Sequence, residues 1–148
     1  MPTRRVVVVG GGLTGALAAL ALARDGYQVD LFERRGDIRE AKVVHGRSIN
    51  LAISVRGLTG LQRVGLRERA LEMAVPMRGR KMHARNRSQS FQPYSANPEE
   101  NIHSISRGGL NQLLIEQADR EEKVTLHFHR RCTGVDPDTA TASFIDDR

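Results

Sequence analysis

The chain has 148 residues, 23 Lys+Arg against 17 Asp+Glu for a formal net charge of +6, 39% hydrophobic and 27% charged residues, and one cysteine. That length suits one domain with a real core, and the composition argues against wholesale disorder. A lone Cys132 excludes an intrachain disulfide framework and a Cys-based zinc site, and it reads as a plain buried or edge thiol. Most basic residues have acids close by. The main exception is Arg78, Arg80, Lys81, Arg85 and Arg87, with no aromatic interleaved to stack bases. Binding to nucleic acid is therefore not expected, and a basic nucleic-acid-binding domain stands only as an alternative.

The elements follow in chain order. Arg4 to Val9 reads as a strand whose unbroken valines suit a parallel sheet covered on both faces. Leu13 to Arg24, rich in Ala and Leu, predicts a helix stopped at Gly26. Val6 to Ala23 lacks any charge and imitates a secretory signal or a short membrane span. Four glycines within it, the change from Val to Ala/Leu, and the charged helix end that follows argue against both, so no membrane segment is expected. Gln28 to Glu33 alternates and reads as a second strand. Arg34 to Val44 is a charged loop and Ile49 to Ile53 a short apolar run. Val55 to Arg63 and Leu66 to Met73 predict helices separated near Gly65.

Further on, Gly79 to His83 and Ser90 to Gln92 predict strands of a separate sheet. Pro93 to Glu100 is a polar loop and Ile102 to Ile105 a short strand. Arg107 to Glu122 is an amphipathic helix with Leu110, Leu113, Leu114 and Ala118 on one stripe. Val124 to Phe128 alternates as a strand. Val135 to Ile145, broken by Asp136-Pro137-Asp138, predicts a hairpin. The histidines show no metal-ligand spacing; His127 and His129 are expected on one face of a strand.

The sharpest local signal is Gly10-Gly11-Gly12-Leu13-Thr14-Gly15, which fits G-x-G-x-x-G between a strand and a helix. Gly10 permits the tight turn, Gly12 lets backbone approach a pyrophosphate, and Gly15 lets the helix pack close to the sheet. The helix start offers N–H groups and a positive dipole end to phosphate, with Leu13 and Thr14 in the turn. Glu33 stands 18 residues after Gly15 at the end of the second strand, where an acid accepts hydrogen bonds from ribose hydroxyls. An acid there disfavours a ribose phosphate, so FAD or NAD fits this turn and NADP does not. Spacing alone does not choose between FAD and NAD.

A longer pattern adds to this. Gly46-Arg47-Ser48-Ile49-Asn50-Leu51-Ala52-Ile53-Ser54-Val55-Arg56-Gly57 resembles a segment of the kynurenine 3-monooxygenase family of FAD-dependent aromatic hydroxylases. Pro76-Met77-Arg78-Gly79-Arg80, Gln92-Pro93-Tyr94 and Ser104-Ile105-Ser106-Arg107, followed by Leu110-Asn111 and Leu113-Leu114, resemble further segments in the same order. The similarity runs from about Val6 to about Phe128. Ser95 departs from the family's glycine after Pro-Tyr, and His83 stands one place early.

The resemblance implies an α/β, Rossmann-like FAD-binding fold with a parallel sheet, plus the beginning of a second, substrate-binding β-sheet. Residues 1–75 and 102–148 would form the incomplete FAD domain and residues 76–101 the start of the substrate sheet. It implies that Glu33 binds the ribose, that Arg35 lies beside the FAD, that Ala52 makes a backbone contact, and that Arg107 touches the flavin. Arg80 and Tyr94 would grip the carboxylate of a kynurenine-like aromatic amino acid, as a guanidinium and a phenol suit. No side chain stands out as an acid–base catalyst. The implied activity is hydroxylation of L-kynurenine to 3-hydroxykynurenine with NADPH and O₂, in the cytoplasm. The family's later Gly-Asp flavin segment, the rest of its substrate sheet and its helical C-terminal region have no counterpart in the 148 residues. The fold is therefore expected to be truncated, and an inactive FAD-binding module is the rival expectation.

Overall fold

The computed structural model describes residues 4–40, 50–85, 87–97 and 101–148. The segment from Gly46 to Ile49, with His45, lies outside them. The chain divides into two compact units, Met1–Arg47 with Gly108–Arg148, and Ser48–Arg107.

The first unit opens with β1 (Arg5–Val9), α1 (Leu13–Arg24) and β2 (Gln28–Phe32). Ala16, Ala19, Leu20 and Ala23 form the buried face of α1, and its small residues let the helix lie close to the sheet. The helix ends as its sequence predicts. Gly26 takes φ +95° and its N–H donates to the Ala23 carbonyl, while the Tyr27 N–H donates to that of Leu22. This closing pattern needs a left-handed residue after the cap, and glycine adopts it without strain.

β1 and β2 pair in parallel, Arg5 opposite Gln28 through Val9 opposite Phe32. The chain later supplies α4 (Arg107–Asp119), with Leu110, Leu113, Leu114, Ile115 and Ala118 buried. It ends three residues before the expected Glu122. β8 (Val124–His127) then joins β2 in parallel, giving the strand order β1-β2-β8. β9 (Arg130–Asp136) and β10 (Thr141–Asp146) form an antiparallel hairpin with a register shift between Ser143 and Phe144. It begins five residues earlier than the hydrophobic pattern implies. Its turn is built on Asp136, whose Oδ1 accepts from the Asp138 N–H at 3.0 Å.

Two expectations for this unit need correction. β1 is not covered on both faces: Val7 and Val9 are 44% and 52% exposed. Among the described residues it is an edge strand, and α1 covers the face that carries Val8. His127 and His129 do not share a strand face either. β8 ends at His127, and His129 takes φ +56° in the turn beyond it.

The second unit contains β3 (Asn50–Ile53), α2 (Val55–Arg63), α3 (Arg67–Glu72), β4 (Val75–Met77), β5 (Gly79–His83), β6 (Gln89–Pro93) and β7 (Ile102–Ser106). Leu58, Leu61, Val64, Leu66 and Ala70 are buried along α2 and α3. β7 is the centre of an antiparallel sheet ordered β3-β7-β4. The hydrophobic pattern did not signal β4, a three-residue strand containing Pro76; proline is tolerated there because β4 is an edge. Among the described residues β5 and β6 pair only with each other, Gly79 opposite Pro93 through His83 opposite Gln89.

Candidate dinucleotide site

The glycine turn joins β1 to α1, and each glycine has a separate steric reason. Gly10 takes φ +105°, which reverses the chain directly after the strand, and its N–H donates to the Phe32 carbonyl at 2.7 Å. A Cβ on Gly15 would lie 1.9 Å from the Gly10 carbonyl oxygen and 3.5 Å from Val8 Cγ1. A Cβ on Gly12 would meet nothing within 4 Å, so the space in front of it is open. Gly12 is the N-cap of α1 and no side chain caps the helix. The Ala16 N–H bonds to the Gly12 carbonyl, which leaves the first-turn amides of Leu13, Thr14 and Gly15 ahead of the helical ladder. An uncapped helix start beside open space suits an anion.

Glu33 closes the turn from the neighbouring strand end. Its Oε2 accepts from the Gly11 N–H at 2.8 Å and its Oε1 from the Arg35 N–H at 2.9 Å. Each oxygen keeps a lone pair for another donor. Backbone bonds hold the carboxylate's own segment: the Glu33 N–H donates to His127 O, and its carbonyl accepts from the Arg130 N–H. Arg35 Nε stands 3.8 Å from Glu33 Oε1, with a largely exposed side chain.

Beside Glu33 opens a cavity of about 400 Å³, walled by Gly10, Phe32, Glu33, Arg35, Arg131 and Cys132 among others. Arg131 and Cys132 escape a sequence reading because they reach this wall from the β9 strand, far along the chain from the glycine turn. Phe32 forms its floor, stacked on His127 at 4.3 Å and on Phe144 at 3.9 Å between ring centroids.

A second polar cluster lies farther along the same sheet. Asp30, 6% exposed, accepts from Arg5 Nε at 2.6 Å, and its other oxygen is 2.9 Å from His127 Nε2. The hydrogen-bonded Arg5 guanidinium holds the Asp30 carboxyl below its ordinary range against the opposing effect of burial. It is a structural knot that ties β1, β2 and β8.

The remaining expected site residues lie in the second unit. Ala52 pairs with Ser104 between β3 and β7, and Arg107 begins α4 directly after β7. Arg80 and Gln92 are cross-strand partners on the β5–β6 hairpin, and Arg80 Nε donates to Gln92 Oε1 at 2.8 Å. Tyr94 follows β6, two residues beyond Gln92, and its N–H donates to the Arg78 carbonyl. Cross-strand pairing therefore puts Arg80 and Gln92 on one face of the hairpin, and Tyr94 directly follows its second strand. Gly79 is forced by packing, since a Cβ there would come 2.5 Å from the Gln92 carbonyl oxygen of the paired strand. Among the described residues no group of three or more His, Cys, Asp or Glu is placed to hold a metal ion. No described helix is long and apolar enough to cross a membrane.

A parallel β-α-β unit, a glycine turn at an uncapped helix start and an acid at the end of the second strand define a dinucleotide-binding α/β domain. Comparison with known proteins narrows this. Residues 3–148 match the family model described as FAD binding domain, and the chain belongs to that family. It is 46% identical over 142 residues to a kynurenine 3-monooxygenase from Myxococcus xanthus (strain DK1622), covering 96% of this chain and 31% of that protein. With a kynurenine 3-monooxygenase from Stenotrophomonas maltophilia (strain K279a) it shares 44% over 146 residues, covering 99% and 32%. The chain thus spans about a third of the length of these relatives. The solved structure of 2-methyl-3-hydroxypyridine-5-carboxylic acid oxygenase shares the fold, with a TM-score of 0.77 at 21% identity over 97% of this chain and 38% of the other.

The cofactor is FAD, and the residues present fit it. The open space at Gly12 has room for a pyrophosphate, the remaining lone pairs of Glu33 suit ribose hydroxyls, and the adjoining cavity of about 400 Å³ is large enough for a purine.

Proposed function

We propose that this chain forms the FAD-binding part, and the opening of the substrate sheet, of a kynurenine 3-monooxygenase-like enzyme. That enzyme would convert L-kynurenine to 3-hydroxykynurenine with NADPH and O₂. The observation that carries the reading is 41–46% identity to curated kynurenine 3-monooxygenases along nearly the whole chain, in a fold whose turn and acid suit FAD. FAD supplies the redox and oxygen chemistry when bound. The protein's residues bind and orient. Gly10, Gly12, Leu13, Thr14 and Gly15 take the pyrophosphate, Glu33 and Arg35 the ribose end, and Ala52 and Arg107 the flavin end.

Arg80 and Tyr94 hold the substrate's carboxylate. The Arg80 Nε edge is already occupied by Gln92, so its two terminal nitrogens are the ones left for a carboxylate. An orienting grip of this kind accelerates reaction by fixing geometry rather than by moving protons. A cytoplasmic location goes with this reading, because NADPH is the reductant it names. The 148-residue chain by itself is proposed to bind FAD and not to turn over.

Titration of FAD into the purified chain, followed by flavin fluorescence, tests the first half. Saturable binding is expected, and a chain that never retains flavin would refute it. Kynurenine-stimulated NADPH oxidation tests the second half, in a full-length protein carrying this chain and its Arg80→Met variant. Stimulation by kynurenine, with KM raised about tenfold or more by loss of the guanidinium, is expected. Oxidation indifferent to kynurenine would refute the substrate.

A further inference from the structure

Asn111 opens the second turn of α4, and the proposed function leaves it without a role. Its Nδ2 donates to the Gly11 carbonyl at 3.2 Å. Its Oδ1 is buried and has no hydrogen-bond partner among the described residues. The amide orientation is set by chemistry, because the Gly11 carbonyl only accepts.

Gly11 is therefore held from both sides. Glu33 takes its N–H at 2.8 Å and Asn111 its C=O. In a trans peptide the carbonyl and the following N–H point in opposite directions. Anchoring the Gly11 carbonyl on α4 thus aims the Gly12 N–H away from α4, and no described acceptor takes that N–H. Glycine peptides turn over at little steric cost, so two neighbouring glycines do not hold this orientation unaided.

The orphaned Oδ1 argues against a packing role. A leucine would fill nearly the same volume without burying an unpaired acceptor. Resting on the FAD reading above, we propose that Asn111 is the positioning residue of the phosphate turn. It locks the Gly11–Gly12 peptide so that the Gly12 N–H faces the dinucleotide pyrophosphate.

The test uses the 148-residue chain and its Asn111→Leu and Asn111→Asp variants. Asn111→Leu keeps the packing, and Asn111→Asp keeps the shape while removing the donor. Affinities for FAD, ADP and adenosine are measured by titration, and amide hydrogen exchange is followed in the ligand-free chain. Both variants are expected to weaken FAD and ADP about tenfold or more and to leave adenosine unchanged, because only the pyrophosphate meets the turn. Exchange at Gly11 is expected to quicken about tenfold while the β1 and β2 amides stay as they were. A merely structural role would move adenosine binding and the melting temperature as well. Unchanged ADP affinity, or equal losses for ADP and adenosine, would overturn the proposal. If the unaltered chain bound neither FAD nor ADP, the FAD reading would fall. The exchange at Gly11 would still report on Asn111, and an unchanged rate would remove its role in the turn.

Discussion

The helix residue Gly15 and the turn residue Gly10 are packed so closely that a Cβ on the first would sit 1.9 Å from the carbonyl oxygen of the second. That atom is backbone, so no rotamer change relieves the clash. Gly15→Ala is expected to push α1 off the end of β1 and to destabilise the chain by about 3 kcal/mol. Thermal unfolding measures the loss. Gly12→Ala makes the contrast, since its Cβ would enter open space. It should leave the melting temperature within a few degrees while weakening FAD, because the new methyl occupies the path of the pyrophosphate. Equal melting losses for the two variants would contradict this division of labour.

Glu33 is tied to Gly11 and to Arg35 through one oxygen each. Glu33→Gln keeps the shape but turns one acceptor into a donor facing an N–H. Glu33→Ala strips both amides of their partner. FAD affinity should fall about tenfold or more for the glutamine variant and further for alanine, as expected when a charge-assisted acceptor is lost. Flavin fluorescence titration gives the dissociation constants. An unchanged constant for Glu33→Ala would remove Glu33 from the cofactor site.

The outline of this site was legible because its residues are local. The turn glycines, the helix they open and the acid that follows lie within one β-α-β stretch, and their spacing encodes their contacts. The Ala/Leu run predicted α1 and its stop at Gly26 for the same reason. What the sequence left open depends on long-range packing. Arg131 and Cys132 reach the cavity from β9, and Asn111 reaches Gly11 across 100 residues. No periodicity reports such a meeting. The early start of the β9–β10 hairpin was hidden because Arg130 and Arg131 look like loop residues. They are strand residues since Asp146 and Ile145 stand opposite them. The valine run of β1 read as doubly covered because composition carries no information about which neighbours flank a strand.

Acid should loosen the first unit through Asp30. Its carboxyl titrates below the ordinary range in the folded chain, chiefly because Arg5 donates to it. A depressed folded value means that the stabilisation is fully present above the unfolded carboxyl range. It is lost as pH falls through the folded value. Asp30→Asn should therefore be less stable than the parent by roughly 1–3 kcal/mol at neutral pH. The gap should narrow as pH falls from about 5 to about 2. Urea unfolding across that range reads it directly. A gap that stayed constant would show that the Arg5–Asp30–His127 knot does not depend on the carboxylate charge.

Cys132 supplies a built-in reporter for the proposed adenosine end of the site. It is the chain's one thiol, it is partly exposed, and it shares a cavity wall with Glu33 and Gly10. A disulfide reagent such as DTNB should label it in the ligand-free chain. A ligand that fills the cavity slows labelling in proportion to occupancy, so FAD or ADP at about ten times its dissociation constant should cut the rate about tenfold. Adenosine should protect as well, at its own higher concentration, whereas FMN, which lacks the adenosine half, should not. In Glu33→Ala the protection by FAD should require correspondingly more ligand. Full-rate labelling under saturating FAD would place the adenosine away from this cavity and assign the β9 wall no part in binding.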